Sequence, residues 1–469
     1  MTIKEFAQRI IECLPYDPND QQSQLVGALA RFCSSQTPAD TVFLLNGYAG
    51  TGKTSVTGAL VKALGSVGIK AMLLAPTGRA AKVFSAFAGH PAYTIHRIIY
   101  NTLTTLADPI GRFSIAPNRY ADTFFIVDEA SMIGDDSASG DSLLADLIHY
   151  VYSGSNCRLI LLGDTAQLPP VGCTVSPAMD VATLRGFGLR VAKAVITETV
   201  RQAARSGVLY NATWLRRAML RDPLPEPTLH ATMFDDVELV EGEELVDALT
   251  QAYDIAGTDA TILITRSNRR AVEFNRAIRS QVLGREQTLQ ADDRLLIAKN
   301  NYFWSHDIKG LDFIANGDVA TVNRIYGTEL RYNTLFADVN LHLPDYGIDF
   351  DCKLNLDTLL SDTPSLSAEE QQQLYQSVIT DPDLFSPATP MSSRQRELKK
   401  NPYYNALQVK FAYAVTCHKS QGGQWTDVFI DMGGIPPEAL GIDFYRWLYT
   451  AVTRTTTRLH LLNPAVRVK

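Results

Sequence analysis

The segment that most constrains the fold of this chain is rich in glycine and follows an apolar run at residues 42–45. A stretch with the composition of a helix comes directly after it, from Thr54 to Leu64. Glycines let backbone N–H groups wrap a phosphate, and the amino terminus of the following helix adds positive potential. The segment matches the pattern GxxxxGK[ST] and predicts a P-loop: Gly47-Tyr48-Ala49-Gly50-Thr51-Gly52-Lys53-Thr54.

A P-loop predicts a site for ATP and Mg²⁺. Lys53 would reach the β and γ phosphates, and Thr54 would bind the magnesium ion. The other loop residues would surround the phosphates: Gly47, Ala49, Gly50, Thr51 and Gly52. A glycine-rich turn without a ligand is the alternative at this motif.

Seven more short apolar runs predict an α/β protein. They are AMLLA at 71–75, FFIV at 124–127, LILL at 159–162, AVIT at 194–197, TILIT at 261–265, AYAVT at 412–416 and VFID at 428–431. Runs that are apolar on both faces are typical of parallel strands buried between helices. Because 469 residues exceed what one hydrophobic core usually organises, two or more domains are expected.

Two of these runs end in polar residues that suit phosphate chemistry. Asp128 and Glu129 follow the run at 124–127, where Asp128 would bind Mg²⁺ and Glu129 would polarise the attacking water. The run at 159–162 leads into a GDxxQLPPV segment, in which Gln167 can sense the γ-phosphate. Acidic pairs and proline-rich loops also end strands without a catalytic role, so the P-loop is what favours the catalytic interpretation.

Together with blocks before and after them, these motifs resemble superfamily 1 helicases of the 5′-to-3′ branch, which includes RecD-like and Dda-like proteins. The resemblance runs from about Asn19 to the carboxyl terminus. It implies two RecA-like P-loop domains and ATP hydrolysis with Mg²⁺. It also implies translocation 5′ to 3′ along single-stranded DNA, with unwinding of duplex DNA.

The resemblance assigns further residues to the nucleotide. Gln22 would contact adenine, and Arg201 in ITETVRQ and Arg454 in LYTAVTR would reach the γ-phosphate from the second domain. Gly422 and Gln424 would approach the nucleotide from the block VTCHKSQGGQ, although many relatives have Glu at the position of Gln424.

The resemblance also assigns contacts with the DNA backbone. In relatives such loops position the strand through hydroxyls, amides and a histidine rather than reading its sequence. The corresponding residues here are Pro76, Thr77, His96, Thr265, Asn268, Thr416, His418, Lys419 and Ser420.

Two insertions acquire a meaning from the same resemblance. Residues 101–120 contain Asp108-Pro109-Ile110-Gly111, which suits a type I turn, so a β-hairpin is predicted and an ordinary surface loop is the alternative. This hairpin would be the strand-separating pin. Short strands from 316 to 407 predict a small β-barrel, which by the resemblance corresponds to the SH3-like domain of this branch. Its helical insert, opened by a capping box at Ser367, resembles the tower that braces the pin.

The expected domains are a first RecA-like domain at 1–185, a second one at 186–315 and 408–469, and the barrel at 316–407. The net charge of −7 gives no global sign of a polyanion partner, so a nucleic-acid site must be a local groove. The six cysteines contain no CxxC pair, which argues against zinc and disulfides.

No apolar run approaches the roughly 20 residues that span a bilayer, and the amino terminus lacks the apolar core of a signal peptide. A cytoplasmic protein without a membrane partner is therefore expected, and a monomer is predicted. Its partners would be single-stranded DNA and DNA forks, with single-strand-binding, repair, recombination or replication proteins as further candidates. The alternatives are an RNA helicase of the same superfamily and a non-translocating NTP-switch subunit.

Overall fold

The computed structural model describes residues 1–100, 114–134, 142–199, 206–306, 308, 311 and 313–469. Within these residues the chain forms two parallel β-sheets packed against helices, and a closed five-stranded barrel. The predicted α/β class, with two RecA-like domains and an inserted barrel, is confirmed.

The first sheet contains the P-loop strand. Its strands are β1 (Thr41–Gly47), β2 (Lys70–Ala75), β3 (Ala92–Thr94), β4 (Thr123–Val127), β5 (Arg158–Gly163) and β6 (Arg190–Ile196). They lie in the order β3-β2-β4-β5-β1-β6, and all pairs are parallel. The helices of this part are α1 (Ile3–Glu12), α2 (Asp20–Phe32), α3 (Lys53–Ser66), α4 (Gly78–Ala88), α5 (Ile95–Ile99), α6 (Leu143–Ser153) and α7 (Val181–Gly186).

β1 explains why an unbroken apolar run becomes a strand here. Every residue of β1 is buried, because it lies between two other strands and has a hydrophobic core on each face. Phe43 and Leu45 pack into one core, while Val42 and Leu44 pack into the other. Side chains of a strand alternate between its two faces, so both sets must be apolar.

The second sheet consists of β8 (Val237–Val240), β9 (Thr261–Thr265), β15 (Ala414–Thr416), β16 (Trp425–Asp431) and β17 (Thr455–Leu462). Its order is β15-β9-β16-β17-β8, again with parallel pairs. The associated helices are α8 (Gly207–Ala218), α9 (Leu245–Ala256), α10 (Asn268–Ala277), α13 (Cys417–Ser420) and α14 (Ile442–Val452). A two-stranded sheet of β7 (Thr228–Leu229) and β18 (Arg467–Val468) lies apart from it.

The barrel closes through β10 (Arg294–Ile297), β11 (Val319–Arg331), β12 (Thr334–Leu343), β13 (Ile348–Asn355) and β14 (Leu407–Phe411). In β12 the buried residues Val339, Leu341 and Leu343 alternate with more exposed ones, as expected where one face lines a barrel core. The barrel also touches the first domain, because Lys82 on α4 forms an ion pair of 3.0 Å with Asp345.

Two strands lie outside the domain limits expected from the sequence. β6 continues the first sheet beyond residue 185, and β10 contributes to the barrel although it precedes residue 316. β6 is a largely exposed edge strand and β10 is a short buried strand, and the composition of neither reveals which sheet it joins. We therefore propose limits that place β6 in the first domain and β10 in the barrel.

The helical insert of the barrel is confirmed. α11 (Ala368–Ile379) begins at the predicted capping box, in which the Ser367 hydroxyl accepts the Glu370 N–H and the Glu370 carboxylate accepts the Ser367 N–H. The second helix of the insert, α12 (Met391–Leu398), begins directly after Pro390. Leu374, Val378 and Leu398 from these helices pack against Phe336 of the barrel.

The predicted pin falls largely outside the described residues, because its turn and tip lie within 101–113. At the described ends of this insertion, Tyr100 forms an antiparallel bridge with Ile115, and the Ala116 N–H donates to the Ile99 carbonyl at 2.8 Å. The hairpin itself stays a prediction.

In the part of the chain that the structure describes, no helix is both long and apolar enough to cross a membrane. All six cysteines are free thiols, and Cys157, Cys352 and Cys417 are buried.

Candidate nucleotide site and strand-binding surface

The P-loop connects the carboxyl end of β1 to the amino terminus of α3. Gly50 and Gly52 have φ angles of 72° and 79°, in the left-handed region that glycine adopts at little cost. Gly52 is also the residue before the first turn of α3, so the loop leads directly into a helix amino terminus. This backbone is suited to surround a phosphate, as the sequence predicts.

Lys53 lies among acidic residues at the carboxyl edge of the first sheet. Its Nζ atom is 3.3 Å from Oδ1 of Asp128, at the end of β4. Burial opposes the charge of Lys53, but Asp128, Glu129 and Asp164 outweigh it and raise the pKa of this side chain. Lys53 is therefore a cation at neutral pH, as phosphate binding requires.

Glu129 has an unusual backbone for a residue with a side chain. Its φ of 52° lies in the left-handed region, and its N–H donates to Oδ1 of Asp128 at 2.9 Å. Oε2 of Glu129 and Oε1 of Gln167 are buried, and neither has a hydrogen-bond partner among the described residues. Buried oxygens without partners are costly, which favours a site that a ligand or water completes.

Residues from the two sheets line one cleft. The first domain contributes the P-loop, Asp128, Glu129 and Gln167. The second domain contributes Gly422, Gln424 and Arg454. Of the predicted nucleotide residues that the structure describes, all line this cleft except Gln22 and Thr51. Thr51 is buried, and its hydroxyl donates to the Tyr48 carbonyl at 2.7 Å. Arg201 lies outside the described residues.

Arg454 is buried at the second-domain side of the cleft. Its guanidinium donates to the backbone carbonyls of Thr450 at 3.1 Å and Gly423 at 3.3 Å. These bonds tie Arg454 to the loop that carries Gly422 and Gln424. The Gln424 side chain is exposed, although its residue lines the cleft.

Gln22 lies next to the P-loop and is not among the residues that line the cleft. It is 2% exposed and lies beneath the P-loop, where its Nε2 atom donates to the Thr51 carbonyl at 3.0 Å. Its Oε1 atom accepts the N–H of Asn19 at 3.1 Å, which completes a capping box at the start of α2. In this arrangement Gln22 supports the loop, and its contact with adenine stays a prediction.

The donor atoms near Lys53 suit a magnesium ion. Thr54 and Asp128 line the same cleft and offer a hydroxyl and a carboxylate, which are hard oxygen ligands. Magnesium in phosphate sites usually takes few protein ligands, with the rest from phosphate and water. The residues present therefore fit the metal that the sequence predicts.

A second cavity gathers part of the predicted strand-binding set. Thr77 from the first domain and His418 and Lys419 from the second line it together. Thr416 and Asn268 line a neighbouring cavity that also includes Lys419. Five predicted contacts from both domains thus lie along one continuous stretch of surface.

Two predicted contacts need correction because their side chains are fully buried. The Thr265 hydroxyl donates to the Ser267 carbonyl at 3.0 Å, and the Ser420 hydroxyl donates to the Cys417 carbonyl at 2.7 Å. Both hydroxyls stabilise the backbone of the loops that carry them. They have no exposed surface to offer a strand.

His96 and Pro76 are half-buried in the first domain. The His96 ring packs against Tyr100 and Phe313 with centroid distances of 5.5 and 6.0 Å. Burial lowers the pKa of His96 to about 4, so the ring is neutral at physiological pH. A contact of His96 with a strand would therefore be a neutral hydrogen bond or stacking, without an ion pair.

Two protein families match the chain, one in each of the domains that line the cleft. The AAA domain family matches residues 18–217, and the UvrD-like helicase C-terminal domain family matches residues 411–462. The ATP-dependent RecD2 DNA helicase of Deinococcus radiodurans is 33% identical over 183 residues, which are 38% of this chain and 22% of that protein. The ATP-dependent DNA helicase dda of Enterobacteria phage T4 is 34% identical over 129 residues, which are 27% of this chain and 28% of that protein.

These matches are consistent with a superfamily 1 helicase. The predicted resemblance to RecD-like and Dda-like proteins is confirmed, and the first domain is a nucleotide-binding domain. The matches span less than a third of the length of these two relatives. A solved Pif1 helicase from Bacteroides, in complex with ADP-AlF3 and ssDNA, is 14% identical with a TM-score of 0.48, covering 96% of this chain and 93% of that one.

The structure also places near the site two residues, Arg79 and Trp425, that the sequence analysis did not assign to it. The Arg79 guanidinium lies 3.8 Å from the centroid of the Trp425 ring, lines the cavity with Thr77, and donates to the Gln424 carbonyl at 3.3 Å. It thereby joins α4 of the first domain to the loop before β16. Arg79 lies two residues after the predicted contact Thr77, but nothing in the sequence pairs it with Trp425.

Proposed function

We propose that this protein is an ATP-dependent DNA helicase that translocates 5′ to 3′ on single-stranded DNA and unwinds duplex DNA. The observation that carries the proposal is the shared cleft. Lys53, Asp128 and Glu129 of the first domain face the same space as Arg454 of the second. A nucleotide bound there would touch both domains, so its hydrolysis would change how they fit together.

Each residue then has a role in hydrolysis. Lys53 and the P-loop amides bind the phosphates, and Thr54 and Asp128 hold Mg²⁺, which when bound neutralises charge on the phosphates. Glu129 accepts the proton of the attacking water. Gln167 orients this water or senses the γ-phosphate, and Arg454, with Arg201, stabilises the charge that develops in the transition state.

The strand-binding surface supports the motor interpretation. Thr77 belongs to the first domain, whereas Asn268, Thr416, His418 and Lys419 belong to the second. If ATP binding closes the cleft, these two groups approach each other along the strand, and hydrolysis separates them again. Alternating grip on the phosphodiester backbone would convert this cycle into steps.

We further infer a monomer that acts in the cytoplasm on single-stranded DNA and DNA forks. Single-strand-binding proteins and proteins of repair, recombination or replication are the partners that such an activity would meet. The choice of DNA over RNA rests on the curated relatives, both of which are named DNA helicases.

The first test measures ATP hydrolysis with Mg²⁺ in the presence of poly(dT), poly(U) or no polymer. We expect strong stimulation by poly(dT) and weaker stimulation by poly(U). Equal stimulation by both polymers would favour an RNA helicase. Turnover that no polymer stimulates would contradict translocation and favour a nucleotide switch.

A further inference from the structure

A tyrosine of the second domain connects two parts of the first domain's catalytic centre. Tyr449 lies on α14 and is 1% exposed. Its hydroxyl accepts the N–H of Ala49 in the P-loop at 3.1 Å and donates to Oδ2 of Asp164 at 2.6 Å. One side chain therefore holds the P-loop and the segment after β5 at a fixed distance from α14.

The segment after β5 is held from the second domain at both of its ends. At its start is the Tyr449–Asp164 bond. At its other end the Leu168 N–H donates to the Thr450 hydroxyl at 2.8 Å, and Gln421 Nε2 donates to the Leu168 carbonyl at 2.8 Å. Gln167 lies between these points, and its buried Oε1 atom has no hydrogen-bond partner among the described residues. The position of Gln167 thus depends on where the second domain docks.

Asp164 links Tyr449 to Lys53, because it accepts the Tyr449 hydrogen bond and its charge acts on Lys53. Its carboxylate is buried, its Oδ1 atom accepts the Ala166 N–H at 2.9 Å, and its charge is one of those that favour the cationic form of Lys53. Burial and the nearby Asp164 raise the pKa of Tyr449 well above its ordinary value, so the phenol keeps the proton that it donates.

We propose that Tyr449 is a positioning residue that couples docking of the second domain to ATP hydrolysis. Its hydroxyl aligns the P-loop backbone at Ala49 and the Gln167 segment with each other only while α14 is docked against the first domain. This inference rests on the proposed function, because it assigns a step in the hydrolysis that strand binding stimulates.

Removing the Tyr449 hydroxyl should weaken docking of the second domain against the first. In Tyr449→Phe the ring still fills its place in the core, but the Ala49 N–H and Asp164 Oδ2 lose a buried partner. A buried polar group without a partner destabilises the arrangement that contains it. The docked arrangement is therefore weakened relative to the undocked one, while the residues that bind the phosphates stay in place.

Tyr445 provides a matched control on the same helix, one turn earlier. It is also fully buried, and its hydroxyl donates to the Pro225 carbonyl at 2.6 Å, away from the cleft. Tyr445→Phe thus removes one side-chain hydrogen bond from α14 without touching the P-loop or Asp164.

The experiment compares wild type, Tyr449→Phe and Tyr445→Phe in kcat, KM for ATP and thermal unfolding, with and without poly(dT). For Tyr449→Phe we expect the poly(dT)-stimulated kcat to fall about tenfold, with KM for ATP within about twofold of wild type. For Tyr445→Phe we expect a smaller thermal shift, because one hydrogen bond is lost instead of two, and wild-type kinetics. Asp164→Asn, which keeps the shape of the side chain, should lower the stimulated kcat in the same direction.

The outcomes separate this inference from the proposed function. If wild type is stimulated but Tyr449→Phe behaves like Tyr445→Phe, the coupling role is wrong and the motor proposal stands. If wild type itself shows no stimulation, both are wrong. If Tyr449→Phe does not fold, Asp164→Asn decides: wild-type stimulation in that variant would overturn the inference.

Discussion

The nucleotide cleft and the strand-binding surface differ in how closely the structure follows the sequence motifs. In the cleft, the P-loop, Asp128, Glu129, Gln167 and Arg454 face one space. On the strand surface, Thr77, His418 and Lys419 line a cavity, whereas Thr265 and Ser420 are buried in their own loops.

The difference has a physical cause. A phosphate site needs several groups within hydrogen-bond distance of one small ligand, so a short contiguous motif almost determines its geometry. A surface that follows a strand backbone can use any exposed polar group along its path. Which groups stay exposed depends on tertiary packing, and a motif does not encode that by itself.

The largest effect should come from the centre of the cleft. Lys53→Ala removes the cation that reaches the phosphates, and we expect ATP turnover to fall below detection in an assay with Mg²⁺ and poly(dT). Lys62→Ala is the control, because Lys62 is an exposed lysine on the same helix, α3. Normal turnover in the Lys53 variant would remove this cleft as the hydrolysis site.

Arg454→Ala tests the contribution of the second domain to the same cleft. A group that stabilises transition-state charge affects kcat more than binding, so we expect kcat to fall about 10³-fold with a small change in nucleotide affinity. Arg458→Ala, at an exposed arginine on β17, should leave both unchanged. If the two variants had the same kcat, Arg454 would not act as a finger.

Glu129→Gln separates binding from chemistry within the first domain. The amide nearly preserves the shape of the side chain but cannot accept the proton of the attacking water. We expect kcat to fall about 10²-fold or more, while ATP and single-stranded DNA still bind. Equilibrium binding of a fluorescent ATP analogue and a labelled oligonucleotide checks this, and loss of both affinities would indicate a structural role for Glu129.

The smallest effect concerns the strand surface and directly tests the contrast with the cleft. Lys419→Ala should weaken binding of oligo(dT) and reduce the slope of log affinity against log salt by about 1, since one phosphate contact is lost. Ser420→Ala, at the adjacent buried hydroxyl, should bind oligo(dT) like wild type. Equal weakening in both variants would show that burial is a poor guide to the strand path.

Much of the fold follows from local sequence rules. Apolar runs predicted both parallel sheets, because strands buried on two faces must be apolar on both. The capping box at Ser367 predicted the start of α11, because its hydrogen bonds involve neighbouring residues. Local rules could not supply the choice of partner strands. The sheets that β6 and β10 join are decided by pairing over long sequence distances.

The same distinction applies to the site. Lys53, Asp128 and Glu129 were predictable, since each stands at a fixed spacing from a motif. Tyr449 lies inside the recognised block LYTAVTR, yet its contacts reach Ala49 and Asp164 in the first domain. Arg79 and Trp425 are similarly far apart in sequence. Contacts between domains depend on docking geometry, which no single block contains.

In the proposed function, ATP hydrolysis in the cleft moves the protein in one direction along a DNA strand and separates a duplex. Its most direct test compares unwinding of a duplex with a 5′ single-stranded tail against the same duplex with a 3′ tail, using ATP and Mg²⁺. We expect efficient unwinding from the 5′ tail and little from the 3′ tail, with none in Lys53→Ala. Unwinding from the 3′ tail alone would contradict the polarity, and unwinding from neither tail despite DNA-stimulated ATP hydrolysis would contradict strand separation.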